Sequence, residues 1–80
     1  MTGTVAFVRG DRAAVETDLG FTFFEVLGAS DLEPGQELRG ALDSLGGETL
    51  RVVSTGETLE VFIEDIYASR ENAARFVRGR

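Results

Sequence analysis

The sequence predicts an all-β chain: a small antiparallel barrel of five or six strands with a short C-terminal helix. Three observations carry this prediction. Five glycine-bearing turn signals (Gly10-Asp11, Leu19-Gly20, Pro34-Gly35, Gly46-Gly47 and Gly56-Glu57) recur every 9 to 15 residues. The runs between them are short, apolar and rich in Val, Phe, Leu and Thr, as strands bounded by turns require. After Ser69 the pattern changes from alternation to a helical stripe.

Taken in order, the first strand covers about Thr4 to Arg9. Gly10-Asp11 places glycine first, which suits a two-residue type II′ hairpin. The second strand, Arg12 to Thr17, sends Ala13 and Val15 to one face and Ala14 and Glu16 to the other. Asp18-Leu19-Gly20 turns the chain into a third strand, Phe21 to Leu27, which is apolar on both faces: Phe21 and Phe23 on one, Phe24 and Val26 on the other. The connection Gly28 to Gly35 allows one helical turn at most, because Pro34 disfavours helical backbone at Glu33. A fourth strand is expected from Gln36 to Asp43, a turn over Ser44 to Gly47, and a fifth strand from Thr49 to Thr55. Gly56-Glu57 then leads into a sixth, Thr58 to Ile66, with Leu59, Val61 and Ile63 on one face and Phe62 and Ile66 on the other.

The helix is predicted over residues 69–78. Ser69 is a good N-cap, Glu71 suits the first turn and Gly79 the left-handed C-terminal position. Ala73, Phe76 and Val77 form an i, i+3, i+4 stripe. A helix of about nine residues is not stable alone in water, so the stripe must bury against this chain or a neighbouring one.

Eighty residues make one domain, 1–80, without internal repeat or linker. With no cysteine, neither a disulfide nor a thiolate metal site can staple it. The opening Met1-Thr2-Gly3-Thr4 lacks the basic segment of an export signal, and no stretch approaches the roughly 20 apolar residues of a membrane helix. The expectation is a cytoplasmic protein. The net charge is −6, unevenly placed: residues 1–69 hold four Arg against thirteen acids, residues 70–80 four Arg against Glu71. An acidic body repels phosphate backbones. Arg75, Arg78 and Arg80 fall where cations favour a helix C-terminus.

Catalytic groups are scarce. Histidine and lysine are absent, so Ser30, Ser44, Ser54 and Ser69 have no base to activate them. The carboxylates Glu60, Glu64 and Asp65, or Glu16 and Asp18, lack a general acid–base partner, and no calcium-loop spacing occurs. They read as solvated strand faces. Gly46-Gly47 lacks the Lys and Ser/Thr of a phosphate-binding loop and reads as a hairpin turn. Tyr67 reads as a packing residue between strand and helix. Phe21 and Phe23 have two readings: barrel core, or a stacking platform for single-stranded nucleic acid. Neither a cofactor nor a metal is expected.

Over residues 3–55 the pattern resembles an oligonucleotide/oligosaccharide-binding (OB) barrel of the S1 type. The resemblance rests on Gly3-x-Val5, on Ala14-Val15 followed by Gly20-Phe21, and on Leu32-x-Pro34-Gly35-Gln36-x-Leu38. It implies RNA binding on the second and third strands. Phe21 and Phe23 match that pattern in type; Glu16, Asp18 and Glu25 stand where basic residues are expected. The segment Ser44 to Leu50 with Gly56-Glu57 is similar to small uncharacterised bacterial proteins, a likeness that brings no activity.

The functional expectation is a non-catalytic module that binds a protein partner or itself, through a strand edge or the helix. Phe21, Phe23, Arg75, Phe76, Val77 and Arg78 are the candidate interaction residues. The alternative is an OB-type binder of single-stranded nucleic acid using the Phe21/Phe23 face and the Arg-rich tail.

Overall fold

The computed structural model describes residues 1–79; Arg80, one of the three tail arginines, lies outside them. Six strands precede one helix: β1 (Thr2–Arg9), β2 (Arg12–Thr17), β3 (Gly20–Val26), β4 (Glu37–Arg39), β5 (Gly46–Val52), β6 (Thr58–Ala68) and α1 (Arg70–Arg78). They form a closed barrel in the order β1-β2-β3-β6-β5-β4, every pairing antiparallel. Two three-stranded meanders, β1-β2-β3 and β4-β5-β6, are thus zipped together along β3–β6 and β1–β4. Closure removes most of the free sheet edge that a six-stranded open sheet would expose.

Alternation fills the interior as the sequence predicts. Ala13 and Val15 from β2, Phe24 and Val26 from β3, and Leu59, Val61 and Ile63 from β6 all point inward. Leu38, Leu42, Leu50 and Val52 complete the layer from the second meander. Thr22 is the one buried polar side chain among them; its hydroxyl donates to the Leu42 carbonyl at 2.6 Å. The bond offsets the cost of removing that hydroxyl from water.

Gly10 opens the first hairpin at φ 63° while Asp11 keeps an ordinary φ, the signature of a type II′ turn. Ser69 caps α1 by accepting from the Asn72 N–H at 3.1 Å, and Gly79 closes it at φ 84°.

Five strand expectations need correction. β4 is three residues long rather than spanning Gln36 to Asp43; the chain turns after Arg39, where the Leu42 N–H bonds the Gly40 carbonyl. Gly46-Gly47 is not a hairpin turn. It opens β5, paired with Ile63 and Phe62 of β6. The β5–β6 register gives both glycines ladder partners that outweigh their local turn preference, and β6 itself runs on to Ala68, where it pairs with Phe21 of β3. β5 correspondingly ends at Val52, where a wider loop begins. Ile66 does not share a face with Phe62. The β3–β6 register shifts on both sides of the Phe23–Asp65 pair, and these bulges turn Ile66 against the interior cluster. Phe62 is left 44% exposed on the outer face. Tyr67 follows at φ 55°, a left-handed conformation rare for an aromatic residue, and its ring is exposed rather than packed.

Candidate interaction face

The outer surface of the first meander is also apolar, and α1 covers it. Ala14, Phe21, Phe23 and Ala68 from the sheet meet Ala73 and Val77 from the helix in a second buried cluster. Ala6, Phe7 and Phe76 pack at its margin. The helix stripe therefore docks within its own chain and leaves none of its buried residues for a neighbour.

A β-bulge in β1 makes this layer. The β1–β2 register runs Val5↔Val15, then Phe7↔Ala14, so Ala6 is the extra residue. Unbroken alternation would put Val5 and Phe7 on one face. The bulge instead keeps Val5 and Val8 toward the interior and sends both Ala6 and Phe7 outward under α1. Phe7 then stacks beside Phe21, centroids 6.2 Å apart.

Phe21 and Phe23 lie outside the barrel, as the alternation places them, yet they are only 6% and 9% exposed. They belong neither to the barrel interior nor to an open platform. Phe23 stacks on Phe76 at 4.5 Å, and Phe21 lies under Arg70, whose guanidinium carbon is 5.0 Å from the ring centroid. A base has no access to either ring while α1 is docked.

Arginines gather around the helix. Arg12 lies over the Phe76 ring at 4.7 Å and donates to the Phe76 carbonyl at 2.9 Å, tying β2 to the last turn of α1. Arg9 donates to the Arg78 carbonyl at 3.3 Å. Arg70 pairs with Glu16 at 3.6 Å, and Arg75 donates to the Asn72 side chain at 3.1 Å. Arg9 and Arg12 thus place cations against the carbonyl end of α1, where the helix dipole favours them, whereas Arg70 stands at its N-terminus and is held by Glu16. The face carries Arg9, Arg12, Arg70, Arg75 and Arg78 against Glu16, Asp65 and Glu71, with Glu25 and Asp11 beside Arg12 at its edge. The rest of the described chain carries Arg39 and Arg51 against nine acids.

Beside a smaller groove along Phe7, Arg70, Glu71 and Ala74, two larger open grooves flank α1. One, of 460 Å³, is lined by Arg12, Phe23, Asp65, Asn72, Arg75 and Phe76. The other, of 410 Å³, is more apolar: Ala6, Phe7, Pro34, Ala74 and Val77, with Arg9 and Arg78 beside them. Of the candidate residues from the sequence, Arg75, Phe76, Val77 and Arg78 thus line this face, with Phe21 and Phe23 beneath it. Arg9, Arg12 and Arg70 join them through tertiary contact, and Phe7 through the bulge.

The acidic side chains form no comparable site. Among the described residues no three of them cluster with metal-ligand geometry. A proton shared with Asp11 raises the pKa of Glu25 above its ordinary 4.5; repulsion from the same carboxylate adds to this and Arg12 opposes it. Glu25 is half-buried beside Arg12 on the barrel wall and lines neither of the two larger grooves. No known protein family, curated protein or solved structure matches the chain.

Proposed function

We propose that the chain is a non-catalytic interaction module that binds another protein through the face built by α1 and β1. The observation that carries this reading is a separation of charge. A chain of net charge −6 gathers five arginines around α1, and two of them, Arg9 and Arg78, stand on the rim of an apolar groove beside that helix. Arginine with apolar and aromatic surface is the composition that protein interfaces favour. Because the helix stripe is used within the chain, self-association would have to use the grooves as well.

The test is selection of a random-peptide library on the immobilised protein, with the footprint mapped by amide chemical shifts. Binders are expected to shift Phe7, Ala74, Val77 and Arg78. Selected peptides that instead shift only β4, β5 and β6 refute the reading.

The same arginines favour a second reading, an OB-like barrel that binds single-stranded nucleic acid. It draws on the barrel and on the basic face, and it is opposed by the covered Phe21 and Phe23. A titration against short RNA and DNA oligonucleotides separates the two. Affinity at low salt that falls steeply as salt rises supports nucleic-acid binding; no affinity removes it.

A further inference from the structure

β1 has an open edge beside the apolar groove. Arg9 and Arg12 flank a two-residue turn, which makes them a hydrogen-bonded pair; the next pair, Val8↔Ala13, is then non-hydrogen-bonded. The N–H and C=O of Val8 therefore point away from β2, toward the side on which β4 would continue. β4 does not reach that far. It pairs with Thr2, Gly3 and Thr4, and Val5 then bonds the Gln36 carbonyl and the Gly35 N–H, each at 2.8 Å. The next residue back is Pro34, which has no N–H to offer. Among the described residues no backbone group outside the strands bonds Val8.

Two features select what fits there. A free donor and acceptor on one strand residue require an extended backbone, not a helix, as the occupant. Arg9 and Arg78, joined by a hydrogen bond, stand at the end of the same groove and require carboxylates. A second copy pairing its own edge would bring Ala6-Phe7-Val8-Arg9, a segment with no carboxylate to meet Arg9 and Arg78. Resting on the interaction reading above, we infer that the occupant is an extended acidic segment of another protein. It adds as a strand along Ala6–Arg9, lays alternate apolar side chains against Phe7, Ala74 and Val77, and directs a carboxylate to Arg9 and Arg78.

The probe is a capped peptide, Asp-Val-Thr-Val-Thr-Val-Asp, titrated into the full chain. Strand addition requires the Val8 amide to shift downfield and its hydrogen exchange to slow. N-methylation of the central peptide residues, or Arg9→Glu, should weaken binding about tenfold or more, since each leaves a desolvated group unpaired. A peptide with Lys in place of Asp should bind at least as weakly. If the peptide shifts Ala74 and Val77 but leaves the Val8 amide and its exchange unchanged, strand addition is wrong and the interaction face stands. If neither edge nor helix responds at millimolar peptide, strand addition is overturned, and the library selection decides the broader reading.

Discussion

Three glycines should respond to the same substitution, alanine, in three different ways, because the structure requires glycine for different reasons at each. Gly3 has an ordinary φ but sits at a close approach between strands. A Cβ there would collide with the Val15 side chain and come within 2.7 Å of the Glu16 carbonyl oxygen. The carbonyl belongs to the sheet ladder and cannot move freely, so overpacking should cost about 2–3 kcal/mol. For a domain of this size that lowers Tm by about 10–20 °C. Gly10 has open space around it but a φ of 63°. Alanine there meets no neighbour yet must take the first central position of a type II′ turn, a region nearly confined to glycine that costs about 1–3 kcal/mol. A stiffer unfolded chain offsets part of this, so a net loss of about 0.5–2 kcal/mol is expected. Gly47 has neither constraint: its φ is ordinary and nothing lies within 4 Å of the added carbon. Gly47→Ala should stabilise by about 0.4–1 kcal/mol through the unfolded state alone. The assay is urea unfolding followed by circular dichroism, with m-values compared to exclude changes in compactness. The reasoning fails if Gly3→Ala is tolerated as well as Gly47→Ala, or if Gly47→Ala destabilises. The first outcome would deny the close approach of β1 and β2; the second would deny that residues 46 and 47 lie in a strand.

Two further predictions concern the second layer and the acidic hairpin. Val77→Ala removes two buried methyl groups between α1 and the sheet and should cost about 1.5–2.5 kcal/mol; an unchanged urea midpoint would mean that the helix layer is not part of the cooperative core. The raised pKa of Glu25 means that the folded state holds its proton more tightly than the unfolded one does. Its contribution is fully present below the unfolded value of 4.5 and is lost as pH rises through the folded value. Asp11→Asn removes the cause of the shift, so between pH 4.5 and neutrality the variant should lose less stability than the parent. Parallel stability–pH curves would refute the coupling.

What the sequence determined was whatever depends on neighbours along the chain. The alternation in residues 12–17 and 21–26 separated Ala13, Val15, Phe24 and Val26 from Ala14, Phe21 and Phe23, and the structure keeps that division. Ser69 and Gly79 bounded the helix because capping is satisfied within one turn. Glycine at position 10 specified its hairpin for the same reason. What tertiary structure decided was register and proximity. Nothing local distinguishes Ala6 as a bulge; it arises because Val5 and Val8 both find interior partners across β2, which turns Phe7 outward. Gly46 and Gly47 read as a turn until the β5–β6 register sets them opposite Ile63 and Phe62. Phe21 and Phe23 became covered only when α1, separated from them by more than 40 residues of chain, folded back onto their face. The arginine cluster has the same origin. Arg9, Arg12, Arg70, Arg75 and Arg78 come from opposite ends of the sequence, and the closed barrel with its docked helix is what brings their charges to one surface.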